Sequence, residues 1–195
     1  EFRRVLFRSL RETEALARAA GGAGSLIGVA CDVADLDAVE RMADEVRRRV
    51  GVPTILVNAA GVFGPIALIR DGDPADWVRT VMIDGIAPYL TVRRFVGGML
   101  DAGWGRIVNV TSAASLHPPG PLNSAYGTAK VALNQLTRHL AAEIAGSGVT
   151  ANVIHPGDVK TAMWADSRDR VAEMRPEAEA YRAWRSEEHT SDLQS

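Results

Sequence analysis

The sequence predicts an α/β fold in which a parallel sheet carries helices on both faces. Short apolar runs that end in polar or turn-forming residues alternate with longer segments whose apolar residues recur at helical spacing. This strand–helix order is typical of parallel sheets with right-handed crossovers. The 195 residues are 47% hydrophobic and 24% charged, which is enough apolar sequence to bury a core. We find no linker that divides the chain, and we expect one domain.

Four short apolar runs predict the strands, because each is followed by residues that end a strand or form a turn. The runs cover 25–31, followed by Asp32; 54–57, followed by Asn58; 106–110, followed by Thr111 and Ser112; and 150–154, followed by His155, Pro156 and Gly157. The first run is expected to be a buried strand.

Longer segments with a helical period predict the helices. They are 11–20, ending at Gly21 and Gly22; Leu36–Val50, with Asp35 as N-cap and Gly51 as the stop; a helix opened by Asp73 and Pro74; and 124–145. Pro88 is expected to kink or divide the segment that continues to Leu100. The polar remainder, 158–184, is expected to be helical in places.

Composition excludes several classes of function. A single cysteine, Cys31, excludes an internal disulfide and a cysteine-based zinc cluster. The net charge of −2 gives no domain-wide basic field for nucleic acid. No apolar run approaches the roughly 18 residues of a membrane span, and no secretory h-region is present. We therefore expect a cytoplasmic protein with no bound metal and neither nucleic acid nor membrane as partner.

Both ends of the chain are predicted not to be native. Residues 1–9 read EFRRVLFRS and 185–195 read RSEEHTSDLQS. A DNA stretch that encodes RSEEHTSEL encodes EFRRVLFRS on its opposite strand, as translated sequencing-adapter DNA would, and only Asp192 departs from this pattern. We exclude both ends from the fold, as one excludes an expression scar. The region 10–184 then remains as a partial domain. A genuine basic N-terminus and acidic tail are the alternative.

The predicted strand ends point to one site. Carboxyl ends of parallel strands meet at the same edge of a sheet, and ligands bind in the crevice outside that edge. Here the edge would carry Asp32, Asn58, Ser112 and the Pro156–Gly157 turn. Three of these residues also have a purely structural explanation. Ser112 can cap a strand end, Asn58 can hydrogen-bond to backbone groups in a turn, and Asp32 can be an acidic residue on the surface.

Tyr126 and Lys130 are four residues apart on the long predicted helix and therefore share a face. A nearby ammonium favours a phenolate and lowers the pKa of a tyrosine. Such a tyrosine can exchange a proton with a substrate oxygen, to which Ser112 can also hydrogen-bond. Taken alone, a pair with this spacing is more often a surface pair.

At this point the sequence resembles the short-chain dehydrogenase/reductase family. The matching segments are CDVAD at 31–35, VNAAG at 57–61, IVNVTS at 107–112, YGTAK at 126–130 and NVIHPGDVKT at 152–161. The resemblance implies a Rossmann-like doubly wound parallel sheet, incomplete here because the first strand, first helix and second strand are missing. It also implies NAD or NADP as cofactor and hydride transfer between the nicotinamide and a small-molecule alcohol or ketone.

The resemblance assigns residue roles as well. Tyr126 would donate or accept the proton, Lys130 would lower its pKa and hold the nicotinamide ribose, and Ser112 would orient the substrate oxygen. The implied cofactor contacts, besides Tyr126 and Lys130, are Asp32 and Val33 at the adenine; Asn58, Ala60 and Gly61 along the cofactor and the central strands; and Pro156, Gly157, Val159 and Thr161 around the nicotinamide.

Three departures from the family pattern affect these expectations. The glycine-rich first turn, which would receive the pyrophosphate and precede the residue that selects NAD or NADP, is missing. Ala59 replaces the second Asn of the family's NNAG segment. Asp84 stands where the family has a catalytic Asn, and its carboxylate would pair with Lys130 and partly cancel the effect of Lys130 on Tyr126.

Two functions follow from the resemblance. The first is that the chain is part of a longer parent oxidoreductase, which is expected to be a homodimer or homotetramer. The 195-residue chain alone would then be inactive. The alternative is a dinucleotide-binding or regulatory module without turnover, in which Asp84 marks a lost active site.

Overall fold

The computed structural model of the chain describes residues 2–20, 26–116, 118–156, 159, 161–172, 179 and 183. The chain forms two compact units, Glu1–Gly51 and Val52–Ser195. Among the described residues, no helix is long and apolar enough to cross a membrane.

The first unit contains helices α1 (Phe2–Ala19) and α2 (Leu36–Val50). The Asp35 side chain accepts a hydrogen bond from Ala38 N at 3.1 Å and caps α2. At the other end Gly51 has φ 85° and its N–H donates to the Arg47 carbonyl, so a glycine suits this position. Both predicted ends of α2 are confirmed.

The start of α1 differs from the expected one. The predicted helix over 11–20 is present, but it begins at Phe2 and therefore includes most of the segment that resembles adapter sequence. That resemblance concerns the origin of the residues, and it stays a prediction. The predicted stop at Gly21 and Gly22 lies outside the described residues.

The buried strand predicted over 25–31 is wrong for the described part, 26–31, which has no regular secondary structure. A strand is stable only where a neighbour satisfies its backbone N–H and C=O groups. Among the described residues no strand pairs with this segment. Leu26 is also 45% exposed. The apolar run therefore identified a hydrophobic segment and not a strand.

The second unit is built on a parallel sheet whose strands are β1 (Ile55–Asn58), β2 (Gly105–Val110) and β3 (Val149–Ile154), in that spatial order. The register places Asn58 beside Asn109 and Val110 beside Ile154. The three strands predicted for this unit, over 54–57, 106–110 and 150–154, are each found within one residue of the expected ends. The α/β class and the parallel sheet are confirmed, and the absence of a first strand, first helix and second strand stays a prediction.

Within the described residues of this unit, the sheet is accompanied by helices α3 (Pro74–Val81), α4 (Ala87–Asp101), α5 (Ser124–Glu143) and α6 (Ala162–Ala172). Asp73 caps α3 as predicted, accepting from Ala75 N and Asp76 N at 2.8 and 3.0 Å. The predicted interruption near Pro88 is a π-turn over Met82–Ile86. Pro88 itself follows the π-turn, in the first turn of α4. Turns of this kind are frequent at functional sites, and this one contains Asp84.

The core lies on one face of the sheet. Ile107 and Asn109 on β2 are fully buried, and α4 and α5 supply buried Met99 and Leu133. The side chains of Ile55 and Val57 alternate with those of this face, and they are 59% and 56% exposed. Helices on both faces therefore stay a prediction for the second unit.

We expect Ile107→Ala to lower the free energy of unfolding by about 2–4 kcal/mol, because it removes apolar volume from a site with no accessible surface. Urea unfolding measures this loss. Val131→Ala is the control, since Val131 lies on α5 and is 52% exposed, and its effect should stay within about 0.5 kcal/mol. An equal loss in the two variants would contradict the assignment of Ile107 to the core.

Candidate active site

The carboxyl ends of the three strands lie at one edge of the sheet, because all three strands are parallel. Helix α5 brings Lys130 to this edge, where Nζ donates to the carbonyl of Val110, the last residue of β2, at 3.2 Å. Tyr126 lies one helical turn earlier, and Lys130 Nζ is 5.3 Å from the centre of its ring. The predicted association of Tyr126 and Lys130 at the edge is therefore found.

Lys130 is buried, with 4% of its surface exposed, and its charge is balanced by Asp84. Lys130 Nζ lies 3.1 Å from Asp84 Oδ2. Asp84 is fully buried, and its Oδ1 accepts from Val62 N at 2.9 Å. The pairing expected between Asp84 and Lys130 is present, and both partners are removed from water.

Burial raises the pKa of Asp84 above the ordinary value of a carboxyl. The positive charge of Lys130 and the hydrogen bond from Val62 N act in the opposite direction, but they do not fully offset the loss of hydration. The pair is therefore a place where ionisation and folding are coupled.

Gly61 contacts this pair closely. A Cβ atom at Gly61 would lie 3.1 Å from Asp84 Oδ2 and 3.6 Å from Lys130 Nζ. A side chain here would crowd the Asp84 carboxylate, so glycine leaves room for the ion pair. Gly61 was expected along the cofactor and the central strands, and its proximity to the Asp84–Lys130 pair was not anticipated.

Tyr126 is half-buried and is supported by an aromatic neighbour. The ring of Phe63 stacks on it, with 5.1 Å between the centroids and 24° between the planes. The segment 61–63 therefore touches both parts of the site, because Val62 holds Asp84 and Phe63 packs on Tyr126. Sequence reasoning had assigned no role to Phe63.

Ser112 follows β2 by two residues and begins a short 3-10 turn. Its Oγ accepts from Ala114 N at 3.3 Å, which agrees with the expectation that this serine can act as a cap. The turn is linked to α5, because Ser115 Oγ donates to the Ser112 carbonyl at 2.6 Å and accepts from Asn134 Nδ2 at 2.8 Å.

Asn58 takes part in a polar ladder that ties β1, β2, α4 and α5 together. Its Nδ2 donates to Asn109 Oδ1 at 2.8 Å, and its Oδ1 accepts from Thr91 Oγ1 at 2.7 Å. Asn109 Nδ2 in turn donates to Thr137 Oγ1 at 2.8 Å. The expected role of Asn58 in the central strands is thus visible in its contacts.

Several residues of the site were missed by the sequence analysis. One signal was available, since Asn109 is a polar residue within the apolar strand IVNV and must find a partner if it is buried. The others pair only across the fold and gave no local signal. The missed residues are Val62, Phe63, Thr91, Asn109, Ser115, Asn134 and Thr137.

The remaining predicted contacts are spread over both units. Ala60, Pro156, Val159 and Thr161 are exposed, and Gly157 lies outside the described residues. The N–H of Thr161 donates to the Val159 carbonyl at 2.8 Å, just ahead of α6. Asp32 and Val33 belong to the first unit, where the Asp32 carboxylate accepts from Ala34 N at 3.0 Å before α2. In the described part of the chain, no group of three or more His, Cys, Asp or Glu residues is arranged to hold a metal ion.

Comparisons with known proteins identify relatives. The family model "short chain dehydrogenase" matches residues 3–172. The chain is 39% identical over 168 residues to a galactitol 2-dehydrogenase (L-tagatose-forming) of Cereibacter sphaeroides, covering 82% of this chain and 63% of that protein. It is 35% identical over 133 residues to an acetoacetyl-CoA reductase of Cupriavidus necator, covering 68% and 53%. The chain spans about half the length of the first curated relatives it matches.

Solved structures show the same fold. An NAD+-bound xylitol dehydrogenase superposes with a TM-score of 0.80 at 28% identity, over 89% of this chain and 68% of that one. A metagenomic short-chain oxidoreductase in complex with NADP gives 0.72 at 32% identity, over 81% and 69%.

The stability of the chain is expected to depend on pH through Asp84. Because its pKa is raised in the folded state, the contribution of Asp84 to stability is fully present below the unfolded pKa, about 3.9, and is lost as the pH rises through the raised value. Asp84→Asn removes this titration. The free energy of unfolding of the wild type minus that of the variant should therefore fall as the pH rises from about 4, and then level off.

Urea unfolding of both proteins at a series of pH values measures this difference. Asp101→Asn, at an exposed residue at the end of α4, is the control for the removal of a carboxylate outside the ion pair. A difference between the wild type and Asp84→Asn that grows with rising pH would contradict the assignment.

Proposed function

The chain belongs to the short-chain dehydrogenase family, and we propose that the protein containing it is an NAD- or NADP-dependent oxidoreductase that interconverts an alcohol and a ketone. The observation that carries the proposal is the placement of a buried Lys130 cation 5.3 Å from the Tyr126 ring, at the carboxyl end of β2. A buried cation next to a phenol favours the phenolate, and a phenolate can exchange a proton with a substrate oxygen.

The residues present fit the nicotinamide half of such a cofactor. We assign Tyr126, Lys130, Pro156, Gly157, Val159 and Thr161 to the nicotinamide and its ribose; Asn58, Ala60 and Gly61 to the path of the cofactor; and Asp32 and Val33 to the adenine. Support comes from Ala60, Pro156 and Thr161, which are exposed and therefore accessible to a ligand. When bound, the nicotinamide supplies the hydride acceptor or donor.

Tyr126 is proposed to exchange a proton between its Oη and the substrate oxygen. Lys130 favours the ionised phenol through its charge, and Ser112 donates a hydrogen bond to the same substrate oxygen. The cap that Ser112 makes is compatible with this role. A hydroxyl has one proton and two lone pairs, so accepting from Ala114 N leaves the proton available for donation.

Asp84 limits the effect of Lys130. At 3.1 Å it neutralises part of the field that the ammonium exerts on Tyr126. We therefore expect the ionisation of Tyr126 to depend on the state of the Asp84–Lys130 pair and not on Lys130 alone. The same observation favours the second candidate function, a dinucleotide-binding module without turnover.

The substrate is proposed to be a small or medium-sized alcohol or ketone. Two relatives are named for galactitol and for acetoacetyl-CoA, and these compounds differ widely in the group that carries the hydroxyl or carbonyl. What they share is the chemistry at the carbonyl carbon. We also propose that the parent protein is a homodimer or homotetramer and that the isolated 195-residue chain, without a glycine-rich first turn, does not turn over substrate.

The test uses the parent protein, extended at its amino terminus by the segment that its gene encodes, with the 195-residue chain in parallel. Oxidation of NADH or NADPH is followed by absorbance over a panel of ketones. We expect Tyr126→Phe to lower kcat/KM by about 10²–10⁴-fold, with the dissociation constant of the cofactor little changed. Tyr89→Phe, at a residue on α4 that is 48% exposed, is the control and should keep full activity.

Unchanged turnover in Tyr126→Phe would refute the proton-transfer role. Binding of NADH or NADPH by the wild type without oxidation by any ketone would instead favour the module without turnover. Turnover by the 195-residue chain alone would overturn the proposal that it lacks a necessary part of the site.

A further inference from the structure

A chain of hydrogen bonds connects helix α5 to the turn that presents Ser112. Asn134 Nδ2 donates to Ser115 Oγ at 2.8 Å, and Ser115 Oγ donates to the Ser112 carbonyl at 2.6 Å. Backbone bonds complete the turn, since Ser115 N donates to the same carbonyl at 3.0 Å and Leu116 N donates to the Ala113 carbonyl at 2.8 Å. The side chain of Asn134 is thus linked through Ser115 to the backbone of Ser112.

Asn134 lies on the same face of α5 as the proposed catalytic pair. It follows Lys130 by four residues and Tyr126 by eight, so the three side chains form one stripe along the helix. A rigid helix therefore fixes the distance from Asn134 to Tyr126. Whatever Asn134 holds is placed relative to Tyr126 with the precision of that helix.

The orientation of the Asn134 amide follows from proton counting. The single proton of Ser115 Oγ is used on the Ser112 carbonyl, so this oxygen can only accept from Asn134. Asn134 must then present its NH₂ group, and its Oδ1 is left buried and without a hydrogen-bond partner among the described residues. An unsatisfied buried acceptor is unfavourable. The amide is held in this orientation by its donation to Ser115.

We propose that Asn134 is a positioning residue that, through Ser115, sets the place of the Ser112 hydroxyl relative to Tyr126. The proposal rests on the proposed function, because it requires Ser112 and Tyr126 to act on one substrate oxygen. Two groups that share an oxygen must keep a fixed separation, and small displacements of a reacting group lower the rate strongly. Neither Asn134 nor Ser115 is expected to touch substrate.

A role confined to folding would predict a different result from a role in positioning. If the hydrogen bonds only join the turn to α5, their loss lowers stability and affects every function of the site alike. If they place Ser112, their loss lowers kcat, leaves cofactor binding unchanged and has no further effect once the Ser112 hydroxyl is gone. The experiment is therefore a mutant cycle that includes Ser112.

We expect Asn134→Ala and Ser115→Ala each to lower kcat of the parent protein about 10- to 100-fold, with an unchanged dissociation constant for NADH or NADPH. The double variant should lose no more than either single one, because both changes break the same path. Ser115→Thr retains the hydroxyl and should restore most of the activity. In a Ser112→Ala background, Asn134→Ala should cause no further loss.

Gln135→Ala is the matched control. Gln135 is the next residue on α5, is exposed and bonds to His139 on its own helix, so its loss should leave kcat unchanged. Asn134→Asp is a second, nearly isosteric test. A carboxylate only accepts, and it would draw the Ser115 proton away from the Ser112 carbonyl, so its kcat should fall as in Asn134→Ala. Full activity in Asn134→Asp, or an additive loss in the Ser112→Ala background, would overturn the proposal.

Amide hydrogen exchange tests, without any measurement of catalysis, whether Asn134 holds the Ser112 turn. Exchange at Ser115 N and Leu116 N should be faster in Asn134→Ala and unchanged in Gln135→Ala. If the wild type oxidises no cofactor, the proposed function fails, and the exchange rates alone decide whether Asn134 holds the turn. If exchange is unchanged in Asn134→Ala, the proposal that Asn134 holds the turn is wrong, even where the enzyme is active.

Discussion

The buried ion pair of Asp84 and Lys130 is the constraint on which the site depends. A lysine with 4% of its surface exposed needs a counter-charge, and a carboxylate with none exposed needs a cation and hydrogen-bond donors. The fold supplies these from three separate segments, because the π-turn carries Asp84, α5 carries Lys130 and the loop after β1 contributes Val62 N. Removal of the Lys130 ammonium would leave the Asp84 carboxylate buried without a cation, which typically costs about 3–5 kcal/mol.

This pair links local backbone features that otherwise look unrelated. The π-turn places the carboxylate inside the fold, Gly61 leaves room for it, and the Val110 carbonyl takes a second bond from the ammonium. The site is thus built mainly by backbone geometry around one charged pair. We propose that the two opposite charges of this pair together set the ionisation of the Tyr126 phenol.

Much of the fold could be predicted from local sequence signals. Asp35, Gly51 and Asp73 mark helix ends through capping, which depends on a few adjacent residues. The segment 26–31 was misassigned because a strand depends on a partner that the segment itself does not encode. In the site, the pairing of Asp84 with Lys130 could be expected once the family resemblance aligned them, whereas the link from Asn134 to Ser115 depends on the packing of α5 against a turn 19 residues away.

The polar ladder through Asn58 and Asn109 also affects the register in which β1 pairs with β2. A slip of β1 by two residues along β2 would keep the same side chains inside and outside, so apolar patterning alone would tolerate it. The slip would, however, break the hydrogen bond from Asn58 Nδ2 to Asn109 Oδ1 and leave Oδ1 of the fully buried Asn109 without this donor. The Asn58–Asn109 pair thereby disfavours shifted registers that the apolar pattern alone would allow. The register of β1 on β2 is therefore specified by polar residues and not by the apolar ones around them.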